Sequence, residues 1–316
     1  MDRHIAILGL GPVGGLMAAY LAREGFRVTG VEVWAEHRAA VTAPGLEVRG
    51  REPFGPIPLP VVDRLDALDS RDLDALVLAL KIPEALALLL ALEPLPADLP
   101  IVLPQNGLEV ERPFLERYPG KRFFRMAVNY AGVLSAPGRI RLSFFNRPNH
   151  IGCLCGRCRG DHAGPFAEWL TRAGLETALA EDIRMRVWEK AILNAVMAPI
   201  SALLNVAIGE ALRQEAVAQL STRLLHECLA VAAACGYRFS PEFEASCRDY
   251  LSSGDGHRPS MLADLDRGRE TEIDYLNGRI CAYGREHGIP VPYNEALTIM
   301  IKARQALART GRGGNG

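Results

Sequence analysis

Lysine is nearly missing from this chain of 316 residues. Of its 36 basic side chains only Lys81, Lys121, Lys190 and Lys302 are lysine, and arginine supplies the rest. An ammonium can release its proton once its pKa is lowered, whereas a guanidinium effectively never does. Each retained lysine is therefore a candidate for work that arginine cannot do. Net charge is also close to nil, −1 at pH 7, so no electrostatic footprint points to nucleic acid or to an anionic membrane. Uninterrupted long apolar runs are lacking too: the stretch from Leu76 to Leu95 is broken by Lys81, Pro83, Glu84, Glu93 and Pro94, which excludes a membrane span there. The first residues have none of the build of a secretory signal. An odd count of seven cysteines fits a reducing compartment better than a disulfide framework. A cytoplasmic protein is expected.

What is present begins at the N-terminus. His4-Ile5-Ala6-Ile7-Leu8 is a short apolar run suited to a buried parallel strand. Gly9-Leu10-Gly11-Pro12-Val13-Gly14 follows at once, then a helical stretch from Leu16 to Arg23 and a second strand from Arg27 to Val33. This is the strand–GxGxxG–helix–strand setting of a dinucleotide-binding turn. Gly9 permits the tight turn, Gly11 admits the pyrophosphate close to the backbone, and Gly14 lets helix and strand pack closely. Pro12 and Val13 open the helix whose N-terminal dipole faces the phosphates. Glu32, eighteen residues beyond Gly14, is placed to accept from adenosine ribose hydroxyls and to repel a 2′-phosphate, which favours NAD over NADP. Arg38 lies near enough to reach a phosphate and argues the other way.

Two further strands end in polar residues: Asp74 to Leu80 leads into Lys81, and Ile101 to Pro104 into Gln105-Asn106-Gly107. Ligands of open α/β sheets bind outside the carboxyl ends of strands, so Lys81 and Asn106 are candidates for the site; a solvated loop lysine and an Asn-Gly turn explain them as well. Phe123 to Cys153 reads as short strands joined by turns, an antiparallel extension of the sheet. Cys153, Cys155 and Cys158 with a nearby histidine could form a tetrahedral metal site. No second CxxC exists, and no metal is expected.

From Glu181 on, strand signals nearly vanish. Helical patterns run Arg184–Leu204, Glu210–Cys235, Pro241–Leu251, Thr271–His287 and Asn294–Arg309, punctuated by glycine and proline. The expected fold is α/β, a Rossmann-type doubly wound sheet followed by an all-α second domain. The boundaries are a dinucleotide-binding domain over 1–180, a helical substrate or dimerisation domain over 181–310 and a disordered tail over 311–316. Lys190 and Asn194 in Trp188-Glu189-Lys190-Ala191-Ile192-Leu193-Asn194 share one helix face. Beside a nucleotide fingerprint that pair reads as a proton donor for a hydride-transfer reaction; alone, Lys190 is an ordinary helical lysine. Ser260 as an N-cap, and Thr271 with Asp274 as a capping box, have equally plain readings.

Taken together, GLGPVG, LALK, QNG, W-E-K-x-x-x-N, S-M-L-x-D and T-E-I-D occur in an order and spacing that resembles the ketopantoate reductase family, over nearly the whole chain. The resemblance implies NAD(P)H-dependent reduction of a 2-oxo acid and a C-terminal domain like that of 6-phosphogluconate dehydrogenase. It implies that Lys190 is the general acid, Asn194 a substrate ligand, Ser260 a ligand of the substrate carboxylate, and Glu272 an acid positioning the lysine or cofactor. Lys81 and Asn106 would contact cofactor and entering substrate. Two usual substrate asparagines are replaced, by Ala198 and Ile208, which points to a paralogue for a bulkier or less hydroxylated 2-oxo acid. An opine-type or 3-hydroxyacid dehydrogenase and a non-catalytic nucleotide sensor are the alternatives. The expected partners are a small molecule, with no nucleic acid and no membrane, and a homodimer stays open.

Overall fold

The computed structural model describes residues 3–154, 162–253 and 258–310. Cys155 and Cys158 of the candidate metal cluster and the tail 311–316 lie outside the described residues. The chain divides into two compact units, one comprising the chain up to Gln105 with Val110–Arg186, the other comprising Asn106–Glu109 with the chain from Val187 onward.

The first unit contains β1 (His4–Leu8), α1 (Pro12–Arg23), β2 (Arg27–Val31), α2 (Ala35–Thr42), β3 (Leu46–Gly50), β4 (Phe54–Ile57) and β5 (Val61–Val62). It continues with β6 (Ala75–Leu78), α3 (Ile82–Ala87), β7 (Pro100–Leu103), α4 (Arg112–Arg117) and β8 (Arg122–Ala127). β9 (Tyr130–Ala136), β10 (Arg139–Phe145), β11 (Asn149–Cys153), α5 (Gly164–Arg172) and β12 (Thr177–Leu179) complete it. The main sheet has the order β12-β11-β8-β7-β6-β1-β2-β5. From β5 to β8 every neighbouring pair is parallel, and β11 adds antiparallel to β8. Strand order reverses at β1, which pairs with both β2 and β6, so the glycine turn after β1 sits at the topological switch point.

The expected antiparallel extension is only half right. β8 and β11 do extend the main sheet, but β9 and β10 belong to a separate sheet of order β4-β3-β10-β9. There β3 pairs parallel with β10 across about ninety residues of sequence, a long-range choice that no local pattern encodes. Helix α1 lies between the two layers. Its residues from Gly14 to Leu21 are all buried, which is why the segment is apolar on every side rather than striped.

The second unit is helical. It is built on α6 (Ile183–Leu204), α7 (Ile208–Leu212), α8 (Glu215–Ala234), α9 (Pro241–Ser253), α10 (Ser260–Asp266), α11 (Asn277–His287) and α12 (Pro292–Thr310). The single helix expected over Glu210–Cys235 is broken into α7 and α8 at an extended Gln214. α10 lies where Ser260, read as an N-cap, would place a helix start. The helix expected from Thr271 begins only at Asn277: Ile273–Tyr275 form a tighter 3-10 turn and Leu276, at φ −110° and ψ −101°, breaks it from α11; Thr271 turns its hydroxyl to Gln305 and Asp274 pairs with Lys302 at 2.9 Å. Pro259 occupies the N-cap position of α10; neither capping role suggested for Ser260 or Thr271 is formed. Among the described residues, α6, rather than Leu76–Leu95, is long and apolar enough to cross a membrane, and 67% of its most apolar window is buried inside the protein.

Pro199 lies inside α6 and has no N–H to give the carbonyl of Ala195 one turn back. Asn277, fully buried, donates from Nδ2 to that carbonyl at 2.9 Å and to Asn294 Oδ1 at 2.9 Å. Asn294 in turn donates from Nδ2 to Glu227 Oε2 at 2.7 Å, and the carboxylate also receives the backbone N–H groups of Tyr293 and Asn294 at 3.0 Å each. This chain of bonds ties α6, α8, α11 and α12 at the helix carrying Lys190. Asn277→Ala strands the Ala195 carbonyl and leaves Asn294 Oδ1 only the Cys228 thiol at 3.8 Å; it is expected to cost about 2–4 kcal/mol, read from urea unfolding. A loss under about 0.5 kcal/mol would show that the network holds nothing together.

Candidate active site

Each glycine of the first turn has a distinct steric reason. Gly9 has φ +85°, a left-handed conformation that favours glycine, and a Cβ there would meet Ala79 O and Leu80 Cδ2 at 2.8 Å. At Gly14 a Cβ would fall 2.1 Å from Gly9 O and 2.7 Å from Ala79 Cβ. Around Gly11, by contrast, no atom lies within 4 Å of the missing Cβ. That open side is where a ligand's phosphates can approach the backbone. Pro12 begins α1, Gly11 is its N-cap, and no side chain caps it and no acid stands in its first turn. The helix terminus therefore presents its dipole, and the N–H groups after Pro12, to an anion. Open space at Gly11, contact at Gly14 and an uncapped terminus fit a dinucleotide pyrophosphate.

Glu32 stands one residue past the end of β2. Its Oε2 accepts from Leu10 N at 3.1 Å and its Oε1 from Trp34 N at 3.0 Å. Each oxygen keeps a second lone pair for a ribose hydroxyl. Arg38 is turned away from that carboxylate's oxygens: its Nη1 donates to the backbone carbonyls of Glu32 at 2.9 Å and Val33 at 3.4 Å. Beyond β6, the loop Ala79-Leu80 presses against Gly9 and ends at Lys81, the N-cap of α3, whose N–H is taken by Glu84 at 2.8 Å. Gln105 braces the neighbouring strand ends by donating from Nε2 to the carbonyls of Leu78 and Leu80. Buried Arg125 holds the Leu103 and Gln105 carbonyls at 3.0 and 2.6 Å, with Glu111 as its counter-ion at 3.1 Å.

In the second unit, Asn106 Nδ2 donates to Glu272 Oε2 at 3.3 Å. The next residues are seated on the same segment, with Leu108 N bonded to Tyr275 O at 2.8 Å. Gly107, φ +101°, allows this: a Cβ would strike Tyr275 Cβ at 2.7 Å. Glu109 is held at φ +56° by an ion pair with Arg279 at 3.0 Å and by Tyr283, whose phenol burial and this carboxylate push up in pKa. The QNG motif thus serves a packing joint as well as an amide donor, which the sequence reading missed; the Asn-Gly pair was the available signal. Lys190 and Asn194 lie one turn apart on α6, both half-buried. Ser260 is exposed at the first turn of α10. Ala198 and Ile208 are buried at 5% and 3% exposure; Ile208 lines a small apolar cavity with Val196, Met197, Ile200, Ala211 and Leu212. Five described cysteines, Cys153, Cys228, Cys235, Cys247 and Cys281, are free thiols, and burial pushes Cys228 and Cys247 up to about 12, leaving them unreactive.

A doubly wound sheet with a glycine turn at its switch point and an all-helical second unit are the architecture of a class of nicotinamide-nucleotide-dependent oxidoreductases. The chain belongs to the ketopantoate reductase family: the model for "Ketopantoate reductase PanE/ApbA" matches residues 5–156 and that for its C-terminal part matches residues 182–305. A 2-dehydropantoate 2-reductase of Mesorhizobium japonicum is 29% identical over 94% of this chain and 96% of its own length. One from Aquifex aeolicus is 25% identical over 96% and 98%. A solved structure of D-mandelate dehydrogenase with NADH and anilino(oxo)acetate superposes with a TM-score of 0.87 at 25% identity, covering 97% of this chain and 99% of that one. The expected α/β-plus-helical fold and the expected family are both borne out.

Gly14→Ala forces a methyl into backbone atoms that cannot yield, so it should destabilise the first unit by about 1–3 kcal/mol, measured by denaturant midpoint. Unchanged stability would mean that α1 and the glycine turn are not in close contact.

Proposed function

We propose that this protein reduces a 2-oxo acid with an apolar side chain, using NADH in preference to NADPH. The observation that carries the reaction is the placing of Lys190 and Asn194 one turn apart on the same helix. When bound, the nicotinamide would supply a hydride to the carbonyl carbon. Alkoxide charge then develops on the oxygen, and a positioned ammonium both stabilises it and delivers the proton. The balance is one 2-oxo acid, one NADH and one proton in, one 2-hydroxy acid and NAD⁺ out. Lys190 is the proposed acid, Asn194 an amide donor to substrate, Ser260 a ligand of its carboxylate, and Glu272 the acid that orients these groups, itself held by Asn106. Gly9, Gly11, Pro12, Val13, Gly14, Glu32 and Lys81 would hold the dinucleotide. Residues 181–310 would form the substrate-binding and pairing domain, with sedimentation of the purified protein as the check on a homodimer.

Lys190→Ala is expected to lower kcat by about 10²–10⁴ with the unfolding transition retained. Lys190→Arg keeps the charge but donates poorly, so it should recover little of that loss. For the wild type, kcat should fall as pH rises through the ammonium's titration, because the protonated lysine is the active form. Turnover near wild type in either variant, or a rate rising with pH, contradicts the assignment.

Ala198 and Ile208 support the substrate class. Where amide donors would reward a substrate hydroxyl, this chain offers buried methyl and methylene groups, and an apolar lining discriminates against a polar substituent. The similarity to D-mandelate dehydrogenase points the same way, since mandelate is a 2-hydroxy acid with an aryl side chain. Glu32 supports NADH, its carboxylate being fixed by two backbone N–H groups where a 2′-phosphate would be repelled. Initial rates with NADH and NADPH against 3-methyl-2-oxobutanoate, phenylglyoxylate and ketopantoate should rank NADH and the unhydroxylated acids first. Ketopantoate with NADPH as the best pair would overturn both choices. Gly11→Ala should fold normally yet bind NADH at least ~10-fold more weakly, as its methyl intrudes where phosphates approach.

A further inference from the structure

Trp34 has no part in the reaction proposed for Lys190. It is 44% exposed, beside Val33 at 81%, on the first residues past the carboxyl end of β2. Burying an indole is strongly favourable, so an exposed one held in a fixed pose calls for an explanation. Its pose is fixed. The backbone N–H of Trp34 is given to Glu32 Oε1, and its ring lies on that of His37, with centroids 5.6 Å apart and an interplanar angle of 27°.

His37 is built as a rigid base. It is 1% exposed. Gly138 N donates to its Nδ1 at 2.9 Å, so the proton sits on Nε2, which donates to Leu10 O at 2.9 Å. The backbone of Leu10 is therefore gripped on both sides of its Cα, its N–H by Glu32 and its carbonyl by His37. The glycine turn, the carboxylate at the end of β2 and the indole are one hydrogen-bonded assembly, with one face of the indole covered by imidazole.

We propose that Trp34 is a shelf for the adenine ring of the dinucleotide, with His37 as the positioning residue beneath it. This rests on the reading of the glycine turn as a dinucleotide cradle and of Glu32 as the ribose acceptor. Adenine is joined to that ribose by a single bond, so the base must fall within a ring's width of the sugar. Trp34 is two residues from Glu32 and tethered to the same carboxylate. Stacking on an indole is indifferent to a 2′-phosphate; the shelf adds affinity for both dinucleotides, and the choice between them stays with Glu32.

The test is calorimetric titration of the full chain, wild type, Trp34→Ala and Trp34→Phe, with NADH, ADP-ribose and reduced nicotinamide mononucleotide. In Trp34→Ala the Kd for NADH and for ADP-ribose should rise about tenfold, while that for the mononucleotide, which has no adenine, stays unchanged. Trp34→Phe should recover most of the affinity. Tryptophan fluorescence should be quenched by ADP-ribose in the wild type and much less in Trp34→Ala. Equal NADH affinity in wild type and Trp34→Ala overturns the shelf, as does an equal loss for all three ligands, which would mean general damage. A change in sedimentation with unchanged affinity would assign the exposed ring to a second copy of the chain. Failure of the wild type to bind any dinucleotide is a separate result: it removes the cradle reading, and the shelf with it.

Discussion

Two adjacent residues without side chains let one helix be gripped by two sheets. A Cβ on Gly14 would collide with the Gly9 carbonyl and Ala79; one on Gly15 would fall 2.3 Å from Ile140 Cδ1 of β10. With neither present, α1 can lie against the switch point of the main sheet on one side and the small sheet on the other. Tyr20, Leu16 and Met17 are then buried to 0% exposure, at roughly 1.5–3 kcal/mol for each large apolar side chain removed from water. This packing fixes where α1 begins. Because α1 starts at Gly11-Pro12 with no side-chain cap, the fold's tightest contact also creates its anion-facing helix end.

The helical unit solves a different problem. The acid and the amide proposed for Lys190 and Asn194 must keep their spacing, and a helix turn gives that spacing if its bonds are complete. Pro199 breaks the ladder of α6, and Asn277 mends it from α11. Buried amide-to-amide bonding is costly to assemble, and Asn277 Oδ1 has no partner. An apolar residue could not replace the missing donor. Polar side chains at the centre of this unit are therefore structural necessities of its own proline.

Some of this was legible in the sequence because single residues carry single reasons. GxGxxG and the acid at the end of β2 each encode a local geometry, and each lies where expected. The second sheet was not legible, since β3 and β10 pair across distant sequence with no turn to announce them. Nor was the seat of Asn106–Glu109, where a left-handed glutamate is paid for by contacts from Arg279 and Tyr283 far along the chain. The four lysines do not share one role. Lys121 is buried with its ammonium on the Leu95 and Glu93 carbonyls at 2.6 and 3.4 Å, and burial pulls its pKa down; Lys302 forms a surface ion pair. Lysine was retained there for compactness or by chance, and only Lys190 and Lys81 stay candidates for chemistry.

The defining step of the proposed reaction is transfer of a hydride to the second carbon of an oxo acid. The most direct measurement incubates purified protein with 3-methyl-2-oxobutanoate and NADH carrying deuterium at the transferable C4 position, and reads the product by NMR. Deuterium at C2 of a single 2-hydroxy acid enantiomer is the predicted result. A product without deuterium at C2, or no 2-hydroxy acid from any 2-oxo acid offered with either cofactor, would contradict it.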